Sequence, residues 1–124
     1  MLIAVIGTIF SYMNICISKY KSMIPTNESI KKAAEIIRSL GHPARIQILI
    51  LLNNKPKMKM TVTQIYEELG LTQPETSRHL SILKNSSVLH CEKDGSNSYY
   101  FINEKHSFIH CIANCMSKYK DNNI

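Results

Sequence analysis

Tryptophan is absent, and glycine, proline and cysteine occur only four times each in 124 residues. So few chain-breaking residues argue against an all-β sandwich, which needs many tight turns. The cysteines (Cys16, Cys91, Cys111 and Cys115) are unevenly spaced and too sparse for a secreted disulfide scaffold. With no secretory signal, they read as thiols of a cytoplasmic protein. Acidic residues are in the minority, 9 against 15 lysines and arginines, and the resulting +6 suggests a polyanionic partner. There is no glycine-rich phosphate loop, no paired-carboxylate spacing and no nucleophile motif, so the chain does not read as an enzyme. Hydrophobic residues at 44% and charged residues at 19% exclude wholesale disorder, and the length suits one domain.

The first eighteen residues, MLIAVIGTIFSYMNICIS, carry no charge. This apolar stretch is close to the lower limit of about 17 residues for a membrane span, and Thr8, Ser11, Tyr12 and Asn14 interrupt it. No basic region precedes it, as a signal peptide would require, and Met13-Asn14-Ile15 before Cys16 is a poor lipoprotein cleavage site. Three readings stay open: an upstream extension with the functional start at Met13 or Met23, an added helix on the domain, or a marginal anchor flanked by Lys19 and Lys21. Residues 1–24 are thus set apart as an N-terminal extension and 25–124 as the domain.

From Thr26 the pattern is helical. Thr26 or Asn27 caps a first helix, whose expected apolar face is Ile30, Ala33, Ala34, Ile37 and Leu40, ending at Gly41. Pro43 opens a second helix, and Ile46, Ile48, Leu49, Ile50, Leu51 and Leu52 make it apolar nearly all round, as expected of a central core helix. A basic loop, Asn53 to Lys59, leads to a third helix from Thr63 to Leu69, with Ile65, Tyr66 and Leu69 inward. After Gly70-Leu71, a capping box with proline in the first turn, Thr72-Gln73-Pro74-Glu75, opens a fourth helix whose buried stripe is Thr76, Leu80 and Leu83. The period then changes to two strands, Val88 to Lys93 and Ser98 to Ile102, joined by Asp94-Gly95-Ser96-Asn97. A fifth helix from Glu104 to Lys120 closes the chain. The fold class is therefore mainly α (α+β): five helices with a two-stranded β-hairpin between the fourth and fifth.

Helices three and four form a helix-turn-helix candidate. Opposite its apolar stripe the fourth shows Gln73, Glu75, Ser77, Arg78 and His79, next to a helix N-terminus capped by Thr72. Such a terminus attracts phosphate, glutamine pairs with adenine and arginine with guanine in the major groove. The plain alternative is a solvated amphipathic face. The hairpin adds weight, because helix-turn-helix followed by a hairpin is the winged helix arrangement. Lys93, Ser96, Asn97 and Tyr99 lie at or beside its tip.

Two segments carry a resemblance. Leu40-Gly41-His42-Pro43-Ala44-Arg45-Ile46-Gln47-Ile48-Leu49 looks like the opening signature of the ArsR-type bacterial repressors. The segment from Leu71 to Leu83, especially Ser77-Arg78-His79-Leu80 followed by Leu83, resembles their recognition helix, and Asp94-Gly95 sits where their wing turns. The resemblance runs from about Glu28 to Lys120. It implies a winged helix-turn-helix homodimer, joined through the first and last helices, that binds a palindromic operator in double-stranded DNA and releases it when an effector arrives. The competing reading is a protein-interaction or membrane-tethered module that keeps the fold without binding an operator.

The chain departs from the family pattern in three places. Ser87 stands where the family has glycine, so a serine is expected to adopt positive φ. Glu75 is an unusual acid on a DNA-facing surface, either an acceptor from cytosine or part of the cap. The third helix lacks the cysteines with which many members sense metal. The last helix instead carries His106, His110, Cys111 and Cys115, all competent ligands for a soft transition metal. With Phe108 at zero and about 100° per residue, the two cysteines and Ile112 lie within about 60° of it and the histidines on the far side. The plain alternatives are cysteines filling a dimer seam and histidines on a solvated face.

Overall fold

The structure, a computed structural model, describes residues 6–9, 11, 14, 25–54 and 59–119. The chain divides into two compact units, Met1–Ala33 and Ala34–Ile124. Of the 1–24 extension, only helical residues 6–9, 11 and 14 are described, so the three readings of that segment lie outside the described residues. Among the described residues no helix is long and apolar enough to cross a membrane.

Helix α1 spans Asn27–Ser39. Thr26 caps it, its Oγ1 accepting from the Ser29 N–H at 3.2 Å, as a threonine outside the first turn should. Of the expected apolar face only Leu40 is buried. Ile36 and Leu40 turn into the core, whereas Ile30 and Ile37 are 51% and 58% exposed and Ala34 is exposed with them. Helix α1 is apolar on two sides, and periodicity alone cannot say which side a core covers. Helix α2, Pro43–Asn54, is central as expected: Ala44, Ile48, Leu49 and Leu52 are buried, and it packs on every other helix that follows it.

Strand β1, Met60–Thr61, was not legible as a strand. It pairs antiparallel with β3 (Met60 opposite Tyr100, Thr61 opposite Tyr99), so the expected two-stranded wing is a three-stranded sheet in the order β1-β3-β2. Thr61 then caps α3, Val62–Leu69, in a capping box with Gln64. Helix α4 spans Gln73–Asn85, followed by β2, Leu89–Asp94, and β3, Asn97–Ile102. The last helix, α5, spans Ser107–Lys118 and starts three residues later than the sequence suggests. Asn103 explains the delay. Its Oδ1 accepts from the Lys105 N–H, its Nδ2 donates to the Ser87 carbonyl, and its own N–H donates to the Val88 carbonyl. Those bonds hold the chain in a turn that competes with helix.

Every element of the unit 34–124 gives side chains to one core, including Ile36, Ile48, Leu49, Met60, Ile65, Leu80, Leu83, Leu89, Ile102 and Ile109. Full burial of each such side chain contributes about 1.5–3 kcal/mol. The result that matters for function is a fixed α4, seated on α2, α3 and β2.

Candidate nucleic-acid interface

The turn between α3 and α4 rests on one residue. Gly70 has φ of 66°, and both its N–H and that of Leu71 return to the Tyr66 carbonyl. A left-handed residue there closes α3 and swings the chain into α4 at once. Thr72 then caps α4, its Oγ1 accepting from the Glu75 N–H at 3.4 Å, with Pro74 in the first turn. Thr76, Leu80 and Leu83 are wholly buried, as the stripe predicts. With that side fixed, Gln73, Pro74, Arg78 and Ser81 are exposed, and Glu75 and Ser77 are half-buried at the flanks. Ser81 donates to the Ser77 carbonyl at 3.0 Å and shares the outward ridge with Arg78; sequence reasoning missed it, although its spacing from Ser77 places it there.

His79 is the clear correction. Expected on the exposed face, it is 6% exposed, with its ring tilted by 42° against that of His42 at a centroid distance of 4.4 Å. It follows Thr76 by three residues and therefore joins the buried side of the helix. Burial holds its imidazole below the usual histidine pKa, helped by His42 and Arg45, partly opposed by Glu75, and lowered further by Arg78. Its Nδ1 is buried without a hydrogen-bond partner among the described residues. His42 also caps α2, its Nδ1 accepting from the Ala44 N–H at 3.1 Å. This pair of rings fastens the recognition-helix candidate to the start of the core helix.

At the far end of α4 the chain turns through Ser87, the only non-glycine residue with positive φ among the described residues, at 64°. The Val88 N–H bonds the Leu83 carbonyl and the Ser87 N–H the Lys84 carbonyl, the paired closure that normally takes glycine. The expected positive φ is therefore present. It delivers the chain into β2 and the wing.

The wing turns on Gly95-Ser96, with Gly95 at φ 63° and Asp94 opposite Asn97. Lys93, Ser96 and Asn97 are exposed at the tip, while Tyr99 is half-buried one step back, opposite Glu92. Strand alternation puts Asn97 and Tyr99 on one face and Lys93 with Ser98 on the other, so the four expected contacts do not form one surface. Lys59 ion-pairs with Glu92, and its ammonium lies 5.1 Å from the centre of the Phe101 ring. The pair removes one negative charge from the flank of the wing. On the core face the Tyr100 hydroxyl, paired with Cys91, is held above its ordinary pKa by burial and then by the thiol.

The four effector candidates of α5 do not gather. Ile109 and Ala113 face the core, Phe108 and Ile112 pack half-buried against its edge, and Cys111, Cys115 and Tyr119 lie beyond them on the exposed flank. Cys111 and Cys115 are exposed, and Tyr119 is 66% exposed. His110 does not face solvent freely as expected: its Nδ1–H donates to Asn53 Oδ1 at 2.8 Å, and Asn53 Nδ2 donates to Asn114 Oδ1 at 2.9 Å. His106 stands at the N-terminus of α5, 6.0 Å from the Phe108 ring centre. Among the described residues no group of three or more His, Cys, Asp or Glu side chains is arranged to hold a metal ion.

The arrangement has known relatives. Residues 42–89 match the family described as "Bacterial regulatory protein, arsR family". An uncharacterised HTH-type transcriptional regulator of Methanocaldococcus jannaschii is 40% identical over 75 residues, covering 60% of this chain and 82% of that protein. The HTH-type transcriptional repressor SmtB of Mycobacterium tuberculosis is 32% identical over 66% of this chain and 58% of its own length. Among solved structures, the transcriptional repressor PagR of Bacillus anthracis superposes with a TM-score of 0.65 at 28% identity, covering 73% of this chain and 99% of PagR. The homodimeric winged helix-turn-helix DNA-binding domain Mb0332 of Mycobacterium bovis shares the fold, with a TM-score of 0.61 at 21% identity, covering 77% of this chain and 90% of that domain. With a glycine-turned helix pair, a wing and these relatives, the chain belongs to the ArsR family and is a winged helix-turn-helix transcriptional regulator.

Proposed function

We propose that the chain works in the cytoplasm as a homodimeric repressor that holds a palindromic operator through α4 and leaves it when an effector arrives. The observation that carries this reading is the outward side of α4: Gln73, Ser77 and Arg78 follow a capped N-terminus and stand on a helix whose other side is locked by Thr76, His79, Leu80 and Leu83. A rigid helix presenting a guanidinium, an amide and a hydroxyl matches base edges in the major groove. Thr72 serves the cap, and Glu75 stands beside it, so base contact falls mainly to Gln73, Ser77 and Arg78. Lys93, Ser96 and Asn97 then serve the phosphate backbone from the wing, with Tyr99 behind them.

Dimerisation is proposed through the first and last helices. Helix α1 leaves Ile37 exposed, and α5 leaves Cys115, Met116 and Tyr119 exposed, which are surfaces that a second copy covers. PagR of Bacillus anthracis and SdpR of Bacillus subtilis are named transcriptional repressors, and the Mycobacterium bovis domain is described as homodimeric, which supports the same assembly here. Catalysis has no place in this reading. Selection of bound fragments from random DNA tests it: a palindrome with half-sites about one helical turn apart, held by two protomers, is expected. Recovery of no common sequence, or one protomer per site, contradicts it.

A further inference from the structure

Helix α1 has a third side. On the helical wheel Ile36 and Leu40 face the core, the exposed stripe with Ile37 lies about 100° away, and Glu35, Arg38 and Ser39 lie on the opposite flank. That flank forms one wall of a groove of about 490 Å³, completed by Arg45 from the first turn of α2 and by Ile82, Asn85 and Ser86 from the end of α4. The groove lies away from the apolar stripe that a second copy would cover. It is also removed from the base-reading end of α4, since Gln73 and Asn85 are about 18 Å apart along the axis. On the dimer and DNA faces proposed above, neither a second copy nor a DNA base fills it.

Its chemistry is specific. Among the described residues neither Arg38 nor Arg45 has a carboxylate within ion-pair distance, and the Arg45 Nε–H is buried with no acceptor. Buried donors are normally satisfied, so the Arg45 guanidinium beside the groove keeps unmet hydrogen-bonding capacity together with an uncompensated charge. Glu35 offsets one of the two positive charges, leaving the groove with a net +1. Ile82, exposed at 37%, supplies an apolar wall. The C-terminal end of α4 works against an anion, but its last carbonyls, from Ile82 to Lys84, are already bonded to the N–H groups of Ser86, Ser87 and Val88. Ser39 spends its hydroxyl on the Ile36 carbonyl at 2.6 Å and offers no competing donor.

We infer that this groove is a binding site for a small organic carboxylate with an apolar body, its carboxylate on Arg38 and Arg45 and its body on Ile82. Such a ligand touches the recognition helix directly at Ile82, Asn85 and Ser86, and touches it again through Arg45, which neighbours His79. The charged and titratable groups facing His79 are His42 and Arg45 from the start of α2 and Glu75 and Arg78 from its own helix. Burial lowers the His79 pKa most and Arg45 adds to it, so an anion on Arg45 offsets part of that lowering and occupancy of the groove is reported inside the buried face of α4.

The test uses the full chain without DNA, so it stands or fails apart from the operator reading. Benzoate, benzyl alcohol, acetate and inorganic phosphate are titrated while amide and imidazole NMR signals are followed. Benzoate is expected to shift Ile82, Asn85 and Ser86 and to bind about tenfold or more tightly than the alcohol that lacks its charge or the acetate that lacks its ring. Arg38→Gln, a change at the surface that leaves the core intact, weakens benzoate about tenfold, whereas Glu35→Gln tightens it. The His79 ring titrates at higher pH with benzoate bound. The inference is overturned if benzoate shifts no groove signal, if benzyl alcohol or phosphate binds as tightly, if both variants leave the affinity unchanged, or if the His79 titration stays where it was.

Discussion

Ser87→Gly should make the protein more stable. Ser87 sits at φ 64° because α4 must reverse into β2 within three residues, and the Val88-to-Leu83 and Ser87-to-Lys84 bonds require a left-handed residue there. A side chain in that conformation costs about 1–2 kcal/mol through the contact of its Cβ with the following carbonyl. Glycine removes that contact, but its unfolded chain is freer by about 0.5–1 kcal/mol. The Asn103 bond to the Ser87 carbonyl is a main-chain acceptor and survives the change. The net gain is then about 0.5–1 kcal/mol, or about 2–6 °C in Tm for a domain of this size. Urea and thermal unfolding of wild type, Ser87→Gly and Ser87→Ala at matched concentration measure it. Ser87→Ala keeps the strained Cβ and should leave stability near that of wild type. A glycine variant no more stable than the alanine variant would refute the strain argument.

Three other outcomes follow from the same geometry. Asn103→Ala removes both side-chain bonds of a buried turn and should cost about 2–4 kcal/mol in chemical unfolding; a loss under about 0.5 kcal/mol contradicts its role in setting the start of α5. The His79 pKa is lowered in the folded state, so the unfolded chain takes up the proton first. Stability is full above the ordinary value of 6.5 and falls as pH drops through it toward the lowered value, and His79→Gln should flatten that fall; equal losses in both proteins contradict it. Oxidation should link two copies through Cys111 and Cys115, which are exposed one turn apart on a rigid helix, while Cys91 stays reduced beside Tyr100. A non-reducing gel of wild type and of a Cys111→Ser, Cys115→Ser double variant reads this, and an identical band pattern for the two contradicts a link through these thiols.

What could be read from the sequence depended on how local the cause was. The α4 stripe of Thr76, Leu80 and Leu83 follows from helical spacing, and the Thr72 cap and the Gly70 and Gly95 turns from residue chemistry, so all were legible. Ser87 was legible only because the family resemblance supplied the glycine it replaces. Strand β1 is two residues long and exists because β3 offers it an edge, which no pattern within Met60–Thr61 records. Helix α1 carries apolar residues on two sides, and the choice of Ile36 over Ile37 was made by α1's neighbours. His79 read as a polar residue on a polar face. Its burial comes from a ring contact with His42, 37 positions earlier in the chain, and only tertiary packing brings the two together.

The central claim is that α4 reads DNA through its outward side, and Arg78 tests it most directly. Arg78 is exposed, and the stripe that holds its helix is wholly buried, so Arg78→Ala should leave folding intact. On a selected operator the variant should lose about 1–3 kcal/mol of binding and relax the preference at one base pair in each half-site, while its affinity for random DNA changes far less. Equal losses on operator and random DNA would make Arg78 a phosphate contact, and an unchanged operator affinity would contradict the placement of α4 in the groove.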